Sequence, residues 1–111
     1  MYVNIFRSRK KTDLDVAAYA ADAQRMERLA QKQKGFVDYR RYAAADGETL
    51  SLSVWQTEED ARAWARNVEH RAIQARGRAD YYESYVVYSC CNATVRKFAQ
   101  AAENAPGIDS Q

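Results

Sequence analysis

The stretch WARNVEHRAIQARGRADYYESYVVY, residues 64–88, concentrates the unusual residues of this chain, and the rest can be read as its scaffold. It holds the only histidine, His70, together with one of the two tryptophans and four of the eight tyrosines. A helix carrying Trp64 and His70 is predicted to end near Gly77, and a tyrosine-rich strand follows directly. We expect the binding site at this junction of helix and strand.

The position of His70 on that helix leaves two alternatives. On one straight helix, His70 would lie about 180° from the centre of the apolar stripe, at about 100° per residue. His70 is then either a surface residue, or the helix breaks near Asn67, a poor residue for a helix interior. A break would place His70, Ile73, Gln74 and Gly77 on a new inward face. The stripe comprises Ala61, Trp64, Ala65, Val68 and Ala72.

Four segments alternate with a period of two, which predicts strands. Asp46-Gly47 predicts a hairpin turn between the second and third of them. In the first strand, the face with Asn4 and Phe6 mixes aromatic and polar groups, which suits a cavity wall. The segments are residues 2–9, 36–42, 49–56 and 81–91.

Two helices are predicted between these strands. Thr12 and Asp15 have the spacing of a helix cap ahead of an apolar stripe that runs over residues 16–30. Thr57 and Asp60 have the same spacing ahead of the second helix, where acidic residues favour the helix start.

The order strand, helix, strand, strand, helix, strand predicts an α+β fold, the ferredoxin-like βαββαβ arrangement with a four-stranded antiparallel sheet. The aliphatic face of the third strand, with Leu50, Leu52 and Val54, is expected to pack on the helices. The opposite face, aromatic and polar, would then be bare in a monomer, so two sheets should pack together as a homodimer. Residues 2–96 form the expected domain, and residues 97–111 a loosely packed tail.

Composition narrows the classes of partner. With 111 residues and 47% hydrophobic content, the chain is one domain, and its formal charge of +2 gives no nucleic-acid footprint. No apolar run is long enough for a bilayer and no signal peptide is apparent, so we expect no membrane association and a cytoplasmic protein.

Cys90 and Cys91 lack the spacing of a zinc or redox site, and we read them as half-buried thiols with no metal.

Several segments resemble the antibiotic biosynthesis monooxygenase (ABM) family of dimeric α+β-barrel proteins. They are Gly35-Phe36 at the second strand, Val54-Trp55 followed by TEEDARAW, and above all EHRAIQARGRADYYESY at residues 69–85. The similarity extends over about residues 2–96 in order and spacing. It implies sheet-mediated dimers with a pocket between helices and sheet. It also implies oxidation of polyketide anthrones or quinols by molecular oxygen, without metal or flavin.

The resemblance also implies roles for individual residues. A phenol reacts with oxygen once it is deprotonated, so such an enzyme needs a base, an oxyanion donor and a dry aromatic pocket. His70 is the candidate base, Asn4 the candidate donor, and Trp64 completes the catalytic set. Arg78 could reach a substrate anion, or it could simply offset the helix dipole. The other expected substrate contacts are Trp55, Phe6, Tyr82 and Tyr85.

The same residues are also compatible with two other functions. A related branch of the family binds haem through a histidine of the second helix, so haem with His70 as ligand is the alternative to a cofactor-free enzyme. The third reading is a non-catalytic dimeric module that binds a small ligand. In it, His70 and Trp64 are ordinary structural residues.

Overall fold

The helices of the described residues cover one face of a four-stranded antiparallel sheet, as the computed structural model shows. The structure describes residues 1–100, without the side chain of Val68. The strand order β2-β3-β1-β4 confirms the predicted α+β, ferredoxin-like sheet. The elements are β1 (Tyr2–Lys10), α1 (Val16–Gln31), β2 (Phe36–Ala43), β3 (Thr49–Trp55), α2 (Glu58–Ala65), α3 (Val68–Arg76), a π-helical turn (Gly77–Tyr81) and β4 (Tyr82–Cys90).

Polar caps set the helix starts. Thr57 caps α2 as predicted, because its hydroxyl accepts a hydrogen bond from the Asp60 amide at 3.1 Å. The cap of α1 is Asp15 and not Thr12, since the Asp15 carboxylate accepts from the amide of Ala18 at 3.0 Å. The prediction was three residues early because Asp15 is itself a strong cap.

Of the two alternatives for His70, the structure shows the break in the second helix. Asn67 has an extended backbone (φ −59°, ψ 130°) between α2 and α3, and its side chain accepts from the His70 amide at 3.1 Å. This cap starts a new helix, α3. His70 is consequently only 9% exposed, and Ile73 and Gly77 are buried on the same side.

The two faces of the sheet are the reverse of the prediction. Trp55 is fully buried against Trp64 and Ala61 of α2, so the face that β3 turns to the helices is the one with Ser51, Ser53 and Trp55. The wide indole fills the core, while the small serines leave room for a cavity. The bare face therefore carries the aliphatic residues of β1 and β3, with Arg7 among them and Asp38 and Arg40 at the β2 edge. Its apolar residues include Val3, Ile5, Tyr42, Leu50, Leu52, Val54, Val86 and Tyr88.

The core occupies only one end of the helix-covered face. Trp55 stacks on Trp64 with ring centroids 6.1 Å apart, and Phe36 meets Trp55 edge-on at 5.8 Å. The small side chains of Ala30 and Ala61 let α1 and α2 lie close to these rings. Both alanines are consequently buried, at 3% exposure each. Beyond this cluster the helices and the sheet separate, and a cavity opens between them.

Two glycines are required by close neighbours. Gly35 has φ +82°, and a β-carbon there would collide with Asp60. Gly77 follows the last residue of α3, so the helix ends where predicted, but Gly77 keeps helical angles (φ −57°, ψ −49°) and a π-helical turn precedes the strand that was expected to follow directly. A β-carbon on Gly77 would lie 2.7 Å from Cε2 of Tyr82, so this glycine lets the Tyr82 ring pack on the helix.

The C-terminal part of the chain extends beyond the sheet. Residues 91–100 form no helix or strand. Of the predicted tail, residues 97–111, the part from residue 101 onward lies outside the described residues. Cys90 and Cys91 are exposed and not half-buried, and Cys91 Sγ donates to Glu58 Oε1 at 2.9 Å. Among residues 1–100, none of the helices is both long and apolar enough to cross a membrane.

Candidate active site

A cavity of about 380 Å³ lies between the sheet and the helices. Strands β1, β2, β3 and β4 form its floor, and α1, α2, α3 and the π-helical turn form its walls. Seven of the eight predicted site residues line it, although they come from distant parts of the chain: Asn4, Phe6, Trp64, His70, Arg78, Tyr82 and Tyr85.

The break between α2 and α3 allows His70 to make two contacts with Trp64. Its Nδ1 atom lies 2.9 Å from the carbonyl oxygen of Trp64, and its ring stacks on the indole at 4.1 Å, with 10° between the planes. A carbonyl can only accept, so Nδ1 carries the proton in this contact. The neutral ring then presents Nε2 as an unprotonated acceptor.

The environment of His70 favours its neutral form. Burial lowers the pKa of this imidazole below its ordinary value, and the hydrogen bond to the Trp64 carbonyl opposes that shift only in part. At neutral pH, the ring is therefore uncharged and able to take up a proton at Nε2. This is the state that a general base requires.

Asn4 presents hydrogen-bond donors to the cavity. Its Oδ1 atom accepts from the hydroxyl of Ser89 at 2.8 Å, which orients the amide between β1 and β4. Since the oxygen is occupied, the Nδ2 group supplies the donors available to a bound molecule. Asn4 and Ser89 both line the cavity.

Trp55 is the one predicted site residue that does not line the cavity. Its side chain is 0% exposed and lies behind Trp64, whose own ring is between Trp55 and His70. Within the described residues, its indole nitrogen has no hydrogen-bond partner. The expectation that Trp55 contacts a substrate is corrected, because Trp55 packs against the Trp64 indole from the core side.

Aromatic rings cover the part of the cavity that β1 and β4 form. Phe6 lies 5.3 Å from Tyr82 and 5.0 Å from Tyr85 between ring centroids, and the two tyrosines are 6.0 Å apart. Tyr19 of α1 meets Tyr82 edge-on at 6.3 Å. Such a wall offers flat apolar contact to a planar molecule.

An ion-pair cluster that the sequence reasoning missed joins α1 to the π-helical turn. The Asp22 carboxylate accepts from Nε and Nη2 of Arg76 at 2.8 and 2.9 Å and from the Tyr81 hydroxyl at 2.6 Å. Arg76 holds the pKa of Asp22 below its ordinary value, and Asp22 raises that of Tyr81. No local pattern reports this cluster, because more than 50 residues separate Asp22 from its partners.

The sequence reasoning also missed further residues that line the cavity. The alternation of the strands could have identified those on the sheet, because they share a face with Asn4, Phe6 and Trp55 in the observed register. The missed residues include Tyr19, Tyr39, Arg41, Ser51 and Ser53.

Comparison with known proteins agrees with this fold. The family model described as antibiotic biosynthesis monooxygenase matches residues 1–76. The uncharacterized protein YqjZ of Bacillus subtilis (strain 168) is 34% identical over 86 residues, which cover 78% of this chain and 75% of YqjZ.

Solved structures with low sequence identity share the architecture. Rv0793 from Mycobacterium tuberculosis has a TM-score of 0.75 at 15% identity, covering 86% of this chain and 98% of its own. A variant of SnoaB from Streptomyces nogalater, described as a cofactor-independent oxygenase, has a TM-score of 0.71 at 14% identity, covering 86% and 97%. At these identities, the similarity establishes the fold alone.

Proposed function

Because the chain belongs to the antibiotic biosynthesis monooxygenase family, we propose that it oxidises a small planar aromatic compound, such as an anthrone or a quinol, with molecular oxygen and no cofactor. One observation carries this proposal. A buried, neutral imidazole, His70, and an amide donor, Asn4, face the same aromatic-lined cavity. The description of SnoaB as a cofactor-independent oxygenase supports the same chemistry on a shared fold.

The proposed reaction begins with proton transfer. His70 Nε2 removes a proton from the substrate, and the amide of Asn4 donates to the oxyanion that forms. The resulting electron-rich anion reduces oxygen. For an anthrone, one CH2 group and one O2 are consumed, and one C=O group and one water are formed, so no external reductant is needed.

The cavity provides the surroundings that this step needs. Removing water strengthens the attraction between an oxyanion and its donor, because the local dielectric falls. Trp64 and the rings of Phe6, Tyr82 and Tyr85 supply the apolar surface. A flat molecule would contact these rings over its faces in a space of about 380 Å³.

The bare face of the sheet supports a homodimer. Val86 and Tyr88 on this face are 43% and 45% exposed, beside the aliphatic residues of β1 and β3. An apolar surface across the strands of a sheet is unfavourable in water, and a second copy of the same face would cover it. The dimer would thus form through the face away from the cavity.

Haem binding is the second candidate, and the tautomer of His70 favours it. A histidine that donates Nδ1–H to a carbonyl and keeps Nε2 free has the arrangement of many metal ligands. Bound haem would supply oxygen activation at its iron, with His70 as the residue that holds it. Titration with haemin tests this, because an axial histidine shifts and sharpens the Soret band of haemin, and this change should be absent in His70→Ala.

Oxygen consumption by the colourless protein tests the leading proposal. Wild type, His70→Ala, Asn4→Ala and the control Gln24→Ala, an exposed residue of α1, are compared on dithranol or another anthrone. We expect losses of roughly tenfold to a thousandfold in the first two variants and none in the control. Full activity in both His70→Ala and Asn4→Ala would refute the mechanism. No oxygen uptake by wild type would favour a non-catalytic binding module.

A further inference from the structure

The end of the cavity away from His70 collects positive charge and tyrosine hydroxyls. Arg41 and Tyr19 line both the main cavity and an adjoining one of about 200 Å³, which Lys10 also lines. The Lys10 ammonium lies 4.9 Å from the Tyr19 ring centroid and donates to Thr49 at 3.0 Å. We call this region the cationic end. It comprises Lys10, Tyr19, Tyr39, Arg41, Arg78 and Tyr82.

Most other charges around the cavity are already neutralised. Asp22 is paired with Arg76, and the Arg62 guanidinium lies 2.7 Å from Glu58. In the described part of the chain, by contrast, Lys10, Arg41 and Arg78 have no acidic side chain within ion-pair distance. Glu27 of α1 is the acidic side chain that acts on Tyr39, so three cations against this one carboxylate leave an excess of positive charge at the cationic end, which a bound anion would balance.

The tyrosines of this end are hydrogen-bond donors at neutral pH. Burial raises the pKa of Tyr82, and Tyr19 raises it further. Burial also raises the pKa of Tyr39, whose hydroxyl contacts Ser51 Oγ at 3.4 Å. Protonated hydroxyls beside a guanidinium can donate to a carboxylate without adding charge of their own.

The register of the sheet relates this end to the catalytic groups. Arg41 and Phe6 are both paired with Ser51, so Arg41 is displaced from Asn4 by two residues along the strands, roughly 7 Å, and by two strands across the sheet, roughly 10 Å. Helix α3 runs from His70 near the tryptophan core to the π-helical turn that carries Arg78. A molecule held by an acid group at the cationic end would extend its rings toward Asn4 and His70.

We propose that the cationic end binds a carboxylate on the substrate, so that the substrate is a planar aromatic acid. This rests on the proposed function for the identity of the ring system. Arg41 provides the main ionic contact, Lys10 and Arg78 add long-range attraction, and the tyrosine hydroxyls donate to the carboxylate oxygens. The carboxylate thereby fixes which end of the molecule reaches His70.

Binding of two probes that differ only in charge tests this without any turnover. Anthraquinone-2-carboxylate and its neutral carboxamide are titrated by calorimetry into wild type, Arg41→Gln and the control Arg28→Gln. Arg28 is an exposed residue of α1 outside the cavity, so the control makes the same charge change elsewhere. We expect wild type to prefer the carboxylate by about tenfold or more, since a charge-assisted contact is lost in the carboxamide.

Arg41→Gln should abolish most of this preference, while Arg28→Gln and His70→Ala should retain it. Added salt should weaken binding of the carboxylate and leave that of the carboxamide unchanged. Equal affinity of wild type for both probes, a preference that survives in Arg41→Gln, or binding of neither probe would overturn the proposal. A retained charge preference in a protein without oxygenase activity would refute the catalytic function alone.

Discussion

The Nδ1 atom of His70 lies 2.9 Å from the carbonyl oxygen of Trp64, and the two rings stack at 4.1 Å. Both contacts depend on the break between α2 and α3. The Trp64 carbonyl lies in the last turn of α2, where it accepts from the Asn67 amide at 3.0 Å, and its second lone pair is available to the imidazole. The Asn67 cap then turns the first residues of α3 so that His70 reaches that acceptor.

The pKa of His70 predicts a pH profile for activity. Because burial lowers this pKa below 6.5, the base is neutral at pH 7 and becomes protonated only in more acidic solution. Oxygen uptake should rise from acidic pH with a midpoint below 6.5 and level off at neutral pH. The His70→Ala variant should lack this rise. A wild-type rate that still increases steeply between pH 7 and 8 with a substrate of fixed ionisation would contradict the assignment.

The same shift predicts a pH dependence of stability. Above the ordinary histidine pKa of 6.5, His70 is neutral in both the folded and unfolded states. As pH falls below it, the unfolded chain binds a proton before the folded protein does, so the free energy of unfolding decreases and then levels off below the folded-state pKa. Urea unfolding at pH 7.5 and 5 should show a smaller decrease in His70→Leu than in wild type.

The two helix caps provide a matched pair of variants. Asn67→Ala and Thr57→Ala each remove a side chain that accepts from a backbone amide at 3.1 Å. Each should lower the free energy of unfolding by about 1 kcal/mol. Only Asn67→Ala should also reduce oxygen uptake, by roughly tenfold to a hundredfold, because it displaces His70. Equal activity in both variants would show that the break does not position the base.

The contact between Gly77 and Tyr82 predicts a coupled pair. At an ordinary helical position, Gly→Ala stabilises by about 0.5–1 kcal/mol. Gly77→Ala should instead destabilise by about 1–3 kcal/mol, because its β-carbon would lie 2.7 Å from Tyr82 Cε2. In a Tyr82→Ala background, the same change should be neutral or stabilising. Thermal unfolding of the four proteins measures this coupling, and simple additivity would disprove the contact.

The aliphatic face predicts the oligomeric state. Ile5 and Leu52 are directly paired near the middle of that face, so Leu52→Glu would place a charge in the proposed interface. Wild type should sediment as a dimer, and Leu52→Glu should raise the dimer dissociation constant by roughly a hundredfold or more. Val16→Glu, at a position that is 72% exposed on α1, is the control. A monomeric wild type at tens of micromolar would exclude this interface.

The sequence by itself determined the order of the elements, the Thr57 cap and the alternatives for His70, because these depend on residues close together in the chain. Eight site residues were also predicted at that stage, and seven of them line the cavity. The resemblance of residues 69–85 to a family guided that choice, since spacing alone does not place Asn4 beside His70.

Only the tertiary structure decided which face of the sheet the helices cover. Alternation in β3 separates Leu50, Leu52 and Val54 from Ser51, Ser53 and Trp55, but it is symmetric between inside and outside. The choice depends on how the Trp55 ring packs against Trp64 and Ala61, which are contributed by another element. The cluster of Asp22, Arg76 and Tyr81 and the cationic end likewise join distant segments, so they exist only once the chain has folded.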